Sequence, residues 1–126
     1  MKALSIRQPW AWAIIHAGKD IENRTWKTNY RGPLLIHASK NYDRLGDIHL
    51  RYNMGIDFSR FSKSCFRGGI IGMVDLVDCV EHSDSPWKDP LGCGFVLKNP
   101  RPLVFAPMPG RQGLFEVREA LRLEHD

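Results

Sequence analysis

The stretch "GGIIGMVDLVDCVEH", Gly68 to His82, narrows most what this chain can become. Ile71, Met73 and Val74 supply the apolar, partly β-branched run of a strand, and Asp75 and Asp78 interrupt it. Gly72 in its middle predicts a bulge or a tightly coiled barrel strand, because a strand interior gains nothing from a glycine otherwise. A chain built around such a strand needs partners. "ALSI", "DIENRTW", "PLLIHAS", "CGFVLKN" and "LFEV" read as further strands, and "PRPLVFAPMPG" as a proline-broken edge segment. In "PLLIHAS", Leu34, Ile36 and Ala38 fall on one face and Leu35 and His37 on the other.

Two helices fit between the early strands. Pro9 suits a first helical turn, Trp10, Ala13, Ile14 and Ala17 share a face, and Gly18 is placed to end the helix. Ser39 is read as the cap of a second helix through about Tyr52, with Tyr42, Leu45, Ile48 and Tyr52 as its apolar stripe. Residues 53–67, with Arg60, Lys63 and Arg67, read as a loop with one helical turn, and "REALRLEHD" as a short terminal helix. The expectation is an α+β fold, a small β-barrel of about five to six strands flanked by two or three helices. At 126 residues it is one domain, spanning 1–126.

Composition bounds the partners. A net charge of +4 favours polyanions without requiring them. No stretch approaches the roughly 20 apolar residues of a membrane span. With no signal-peptide pattern before Arg7, a cytoplasmic monomer is expected. The 3 cysteines, Cys65, Cys79 and Cys93, form no C-x-x-C pair. Cys79, His82 and Cys93 fall short of a four-ligand set, so neither metal nor cofactor is expected.

Chemistry concentrates in "GKDIENRTWKTNYRG", Gly18 to Gly32. Glu22 and Arg24 have equal strand parity. Arg24 can fork onto a phosphate or a base edge, or hold Glu22 as an ion pair. Lys19 can serve as a point charge, or as a base if desolvation lowers its pKa. A solvated ion-pair ladder remains open for the same three residues. Arg7, Gln8 and Trp10 precede the motif, Trp26, Tyr30 and Arg31 follow, and His37, Ser39 and Lys40 end a strand expected to pair with it as a hairpin. Rings, guanidiniums and amides together are what an unstacked base needs. Trp10 reads first as core and second as a stacking surface, and His37 as either a satisfied wall residue or a site residue. Trp87 and Lys88 stand as a lid over the same cleft or as packing at the barrel end. No nucleophile elbow, Gly-rich phosphate loop or H-E-x-x-H is present.

Taken in order, "LSIRQPWAW", "GKDIENRTW", "RGPLLIHASK", "GGIIGMVDLVDCVE" and "GFVLKNPRPL" resemble an ASCH domain of the PUA-like superfamily, of the small single-domain bacterial or phage type. The family pattern G-x-K-x-x-E-x-R is met by Lys19, Glu22 and Arg24, with Ala17 where its glycine stands. The resemblance implies a helix-flanked β-barrel with a cleft lined by this motif, and association with RNA or other nucleic acid. Some similar proteins are amidohydrolases on N4-acetylcytidine that use a Lys, a Thr and a Glu. Lys19 matches the first, Glu22 occupies the threonine position, and Thr25 and Glu81 are the nearest substitutes. Another is a ribonuclease with different side chains.

Two function classes follow. The first is a binding module for RNA, another nucleic acid or a modified nucleobase, with Lys19, Arg24, Arg31 and Lys40 on phosphate or base edges and Arg7, Gln8 and His37 lining the cleft. The second is a hydrolase on a nucleic-acid-derived substrate, an amidohydrolase or ribonuclease, with Lys19 as base and Glu22 as acid or water activator.

Overall fold

The computed structural model describes residues 1–57 and 66–124. Six strands and two helices follow one another as β1 (Lys2–Gln8), α1 (Trp10–His16), β2 (Ile21–Arg24), β3 (Gly32–Tyr42), α2 (Arg44–Asn53), β4 (Gly69–Val80), β5 (Cys93–Pro107) and β6 (Leu114–Glu116). They form one mixed sheet in the order β2-β5-β4-β3-β1-β6. β1 and β3 run parallel, and every other pairing is antiparallel. The backbone ladder leaves β2 and β6 as its two ends. The sheet nevertheless coils until β2 meets β1, where Arg24 Nη2 donates to the Ser5 carbonyl at 3.0 Å. A side chain does there what a ladder would do in a closed barrel.

β3 is apolar on both faces because both are covered. Leu34, Ile36 and Ala38 join Leu4, Val74, Leu76 and Phe95 in one cluster, which Ala11, Ile14 and Ile15 of α1 complete. Leu35 packs on the opposite side with Ala3, Ile70, Leu103 and Phe115. Burying an aliphatic side chain of this kind stabilises by about 1.5–3 kcal/mol, so these two clusters carry most of the fold. Gly72 is the bulge the strand pattern predicts, since the β4–β5 register shifts between Ile70 and Gly72. A Cβ there would stand 2.5 Å from the Ile15 side chain, so the missing side chain lets α1 sit against the sheet.

Several expectations are corrected. β3 does not pair with β2 as a hairpin; β2 pairs with β5, and β3 lies between β1 and β4. Ser39 lies in β3, which runs on to Tyr42, and the cap of α2 is Asp43, accepting from Gly46 N at 3.1 Å. Leu45, Ile48 and Tyr52 are exposed; α2 instead buries Gly46 and Leu50, because the Trp10 ring fills the space beside Gly46. "CGFVLKN" and "PRPLVFAP" are one strand, β5, whose prolines fall where β4 is its only strand partner. Residues 118–124 are not helical, and a single bridge ties Leu123 to Leu103. The helical turn expected within 53–67 lies largely outside the described residues, as do Arg60 and Lys63, whereas Arg67 lies within them.

Candidate functional site

A cleft of about 1010 Å³ opens where β1 and β3 end, between β2 and the turn over 108–113. Its position follows from the topology. Parallel β1 and β3 deliver Arg7, Ser39 and Lys40 to the same end of the sheet, and the coiling brings Glu22 and Arg24 of β2 across from them.

Glu22 is the centre of a buried ion cluster. Gly18, with φ +75°, ends α1 in the left-handed conformation, and Lys19 N caps the helix on the Ala13 carbonyl at 3.1 Å. That turn points the Lys19 side chain inward, where its Nζ donates to the Ile21 carbonyl and lies 3.8 Å from Glu22 Oε1. The Trp10 and Trp87 rings flank the ammonium at 5.3 Å and 5.6 Å. Burial, only partly offset by Glu22, pushes the Lys19 pKa down. On the other side, Glu22 Oε2 accepts from Arg24 Nε at 3.0 Å and Nη2 at 2.9 Å. The side chains are 4%, 10% and 23% exposed for Lys19, Glu22 and Arg24, so this is not a solvated ladder. Glu22 and Arg24 line the cleft, while Lys19 stands behind them.

Ser5 and His37 form a second polar pair. His37, 2% exposed, is bonded on both ring nitrogens. Nε2 is 2.8 Å from the Met108 carbonyl, which can only accept, so in the neutral ring Nε2 carries the hydrogen. Nδ1 then accepts from Ser5 Oγ at 2.9 Å. His37 is thus both a satisfied wall residue and a cleft residue.

The walls are aromatic and the rim is cationic. Trp10 lines the cleft with its indole Nε1 donating to Asp43 Oδ2 at 2.8 Å, and Trp26 lines it while standing edge-on to Phe95. Exposed Arg7, Lys40 and Arg111 ring the opening. Ser39 lines it as well and accepts from Asn41 N. Gln8 is buried outside the lining: its side-chain oxygen accepts from Trp12 N, capping α1, and its amide donates to the Phe66 carbonyl. Arg31 is turned to Asp78, 3.7 Å away, and to two nearby carbonyls, away from the cleft. Thr25 is exposed and lines only a smaller neighbouring hollow, and Glu81 pairs with Lys27 at 2.9 Å. Trp87 covers Lys19 rather than the cleft, and Lys88 donates to the Asp89 carbonyl. Ser5 and the turn carrying Arg111 are among the lining residues that sequence reasoning missed. "PMPGRQG" announces a turn with a cation on it, but nothing local ties it to His37. Among the described residues no group of three or more His, Cys, Asp or Glu side chains could hold a metal ion, and no helix is long and apolar enough to cross a membrane.

Comparison with known proteins adds an independent finding. The model of the ASCH domain family matches residues 4–120. Human Activating signal cointegrator 1 is 29% identical over 133 residues, covering 90% of this chain, and its mouse counterpart is 28% identical over 127 residues. The chain spans 22% of the length of each of these relatives.

Proposed function

The chain belongs to the ASCH domain family, and from that premise we propose that its cleft binds a nucleobase together with the adjoining phosphate of RNA or another nucleic acid. ASCH domains are PUA-like modules generally associated with RNA binding. One observation carries the reading here: a cationic rim of Arg7, Lys40 and Arg111 surrounds two tryptophan walls and a floor where Arg24 is already fixed by Glu22. The rim supplies phosphate neutralisation, the rings supply stacking, and the floor offers a guanidinium donor and a carboxylate acceptor to a base edge. A modified nucleobase fits the same description, because the cleft is large for a single base.

The test is fluorescence anisotropy of labelled single-stranded oligonucleotides at several salt concentrations. Three rim cations on phosphate predict a slope of log affinity against log salt of about −2, and replacing any one of them by alanine reduces the slope by about 0.7. Binding that ignores salt, or survives loss of all three cations, would refute the phosphate contacts. Replacement of Trp26 by alanine should weaken binding by about 1–3 kcal/mol per stacked base without changing that slope.

A further inference from the structure

Ser5 and His37 make a different kind of site inside the same cleft. Ser5 Oγ lies 2.9 Å from His37 Nδ1, and the ring is fixed from behind by the Met108 carbonyl, 2.8 Å from Nε2. His37 is buried, so water does not compete for Nδ1, whereas Ser5 is half-buried and lines the cleft. A hydroxyl, a base within hydrogen-bond reach and a third group orienting that base are the parts of an activated nucleophile. Two more observations go beyond what a structural latch needs. A Cβ on Gly110 would stand 2.8 Å from Ser5 Oγ and 2.7 Å from His37 Cε1, so only the absence of a side chain there leaves room beside the pair. The Arg24 guanidinium is bonded to the backbone carbonyl of Ser5 itself and lines the same cleft, which fixes a cation at that residue.

We infer that Ser5 is the nucleophile and His37 the general base of a hydrolytic site for a carboxylic ester or amide carried on a flat, base-sized group. This goes beyond the binding reading and shares its cleft. Ser5 Oγ adds to the acyl carbon while its proton passes to His37 Nδ1, and Arg24 is the cation at hand for the oxyanion. Collapse breaks the bond to the leaving oxygen or nitrogen, which takes the proton from Nδ1 and leaves acyl-Ser5. Water then adds to the acyl carbon and gives a proton to Nδ1. Cleavage of the acyl–Oγ bond returns that proton to Ser5 and frees the carboxylic acid. Water is the only co-reactant consumed. The carboxylate Glu22 and its lysine take no part in the step, and the hydroxyl comes from β1 rather than from the motif on β2.

The experiment treats the whole chain with an alkyl fluorophosphonate, which forms a P–O bond with an activated serine and releases fluoride, and reads the adduct by intact mass and peptide mapping. One adduct per chain on Ser5 is expected. Hydrolysis of p-nitrophenyl acetate should fall at least about a hundredfold in Ser5→Ala and His37→Gln, the scale of a lost general-base contribution. Because His37→Gln alters a buried residue, Gly110→Ala provides the second variant. It keeps both Ser5 and His37 in the sequence and should suppress the adduct, because its methyl would crowd the hydroxyl and the ring. A wild-type chain that binds oligonucleotide yet takes no adduct would overturn the hydrolytic site and leave the binding reading standing. An adduct on another residue, or one undiminished in Ser5→Ala, would overturn it as well.

Discussion

Two arginine–carboxylate pairs in this molecule invite comparison, Glu22 with Arg24 and Asp75 with Arg101. The contact distances hardly differ, 2.9 Å in the first pair and 3.0 Å in the second. Each also has a further partner, Lys19 for Glu22 and Asn99 for Asp75. Their surroundings do differ. Glu22 is 10% exposed at the floor of the cleft, and Asp75 is 33% exposed on the outer surface of β4. A desolvated charge is tolerated only while every partner stays in place, whereas an exposed one exchanges its partner for water at little cost. The comparison teaches that the pairing alone says little, and that burial marks which pair is part of a site.

Removing the carboxylate should separate the two most sharply. Glu22→Ala leaves Lys19 and Arg24 buried without their counter-charge, and a loss of about 3–5 kcal/mol in unfolding free energy is expected from denaturant titration. A loss below about 1 kcal/mol would put Glu22 in the same class as Asp75 and break the comparison. Arg24→Lys is the next largest, because a lysine keeps the charge but cannot hold Glu22 Oε2 and the Ser5 carbonyl at once. We expect about 1.5–3 kcal/mol, read from the same titration, for loss of a charge-assisted hydrogen bond. Oligonucleotide affinity should fall in parallel, since this guanidinium also faces the cleft.

How much of this was legible in the sequence depends on chain distance. Lys19, Glu22 and Arg24 lie within one turn and one strand, so their spacing alone placed them together. The strand periods of β3 and β4 and the glycine bulge were readable for the same reason. Ser5 and His37 are 32 positions apart, and Met108 is 71 positions beyond His37. Only the order of strands in the sheet joins them, and the wrong hairpin partner for β2 hid that order. The face of α2 was misread on a similar ground. Leu45, Ile48 and Tyr52 are the apolar residues at helical spacing, yet the fold turns Gly46 and Leu50 inward because Trp10 of another helix needs the room. Local periodicity has no access to that neighbour.

A smaller effect sharpens the contrast through pH. Burial lowers the folded pKa of Lys19 below the ordinary 10.5, so the unfolded chain holds this proton more tightly. Stability from this group therefore rises as pH climbs through the folded value toward 10.5, and levels above it. Lys19→Met should abolish that alkaline rise in the urea midpoint. A rise that persists in the variant would mean that another group titrates there.

The outer pair should give the smallest effect, with a slope of the same sign at the acid rather than the alkaline end. The Arg101 hydrogen bond holds the Asp75 carboxyl below its ordinary 3.8, ahead of the opposing effect of burial, with Asn99 adding to it. A carboxyl whose folded pKa lies below its unfolded one stabilises the fold above the unfolded value. It loses that contribution as pH falls through the folded one. Asp75→Asn should thus cost no more than about 1 kcal/mol at neutral pH, because solvent screens a pair this exposed and water replaces the lost partner. What the variant should change is the acid limb, where the wild-type decline in stability below 3.8 becomes shallower. Thermal melts of both chains on either side of that value decide the matter. A neutral-pH loss as large as that of Glu22→Ala would show that exposure does not discriminate between the two pairs, and would remove the ground for treating the buried one as part of a site.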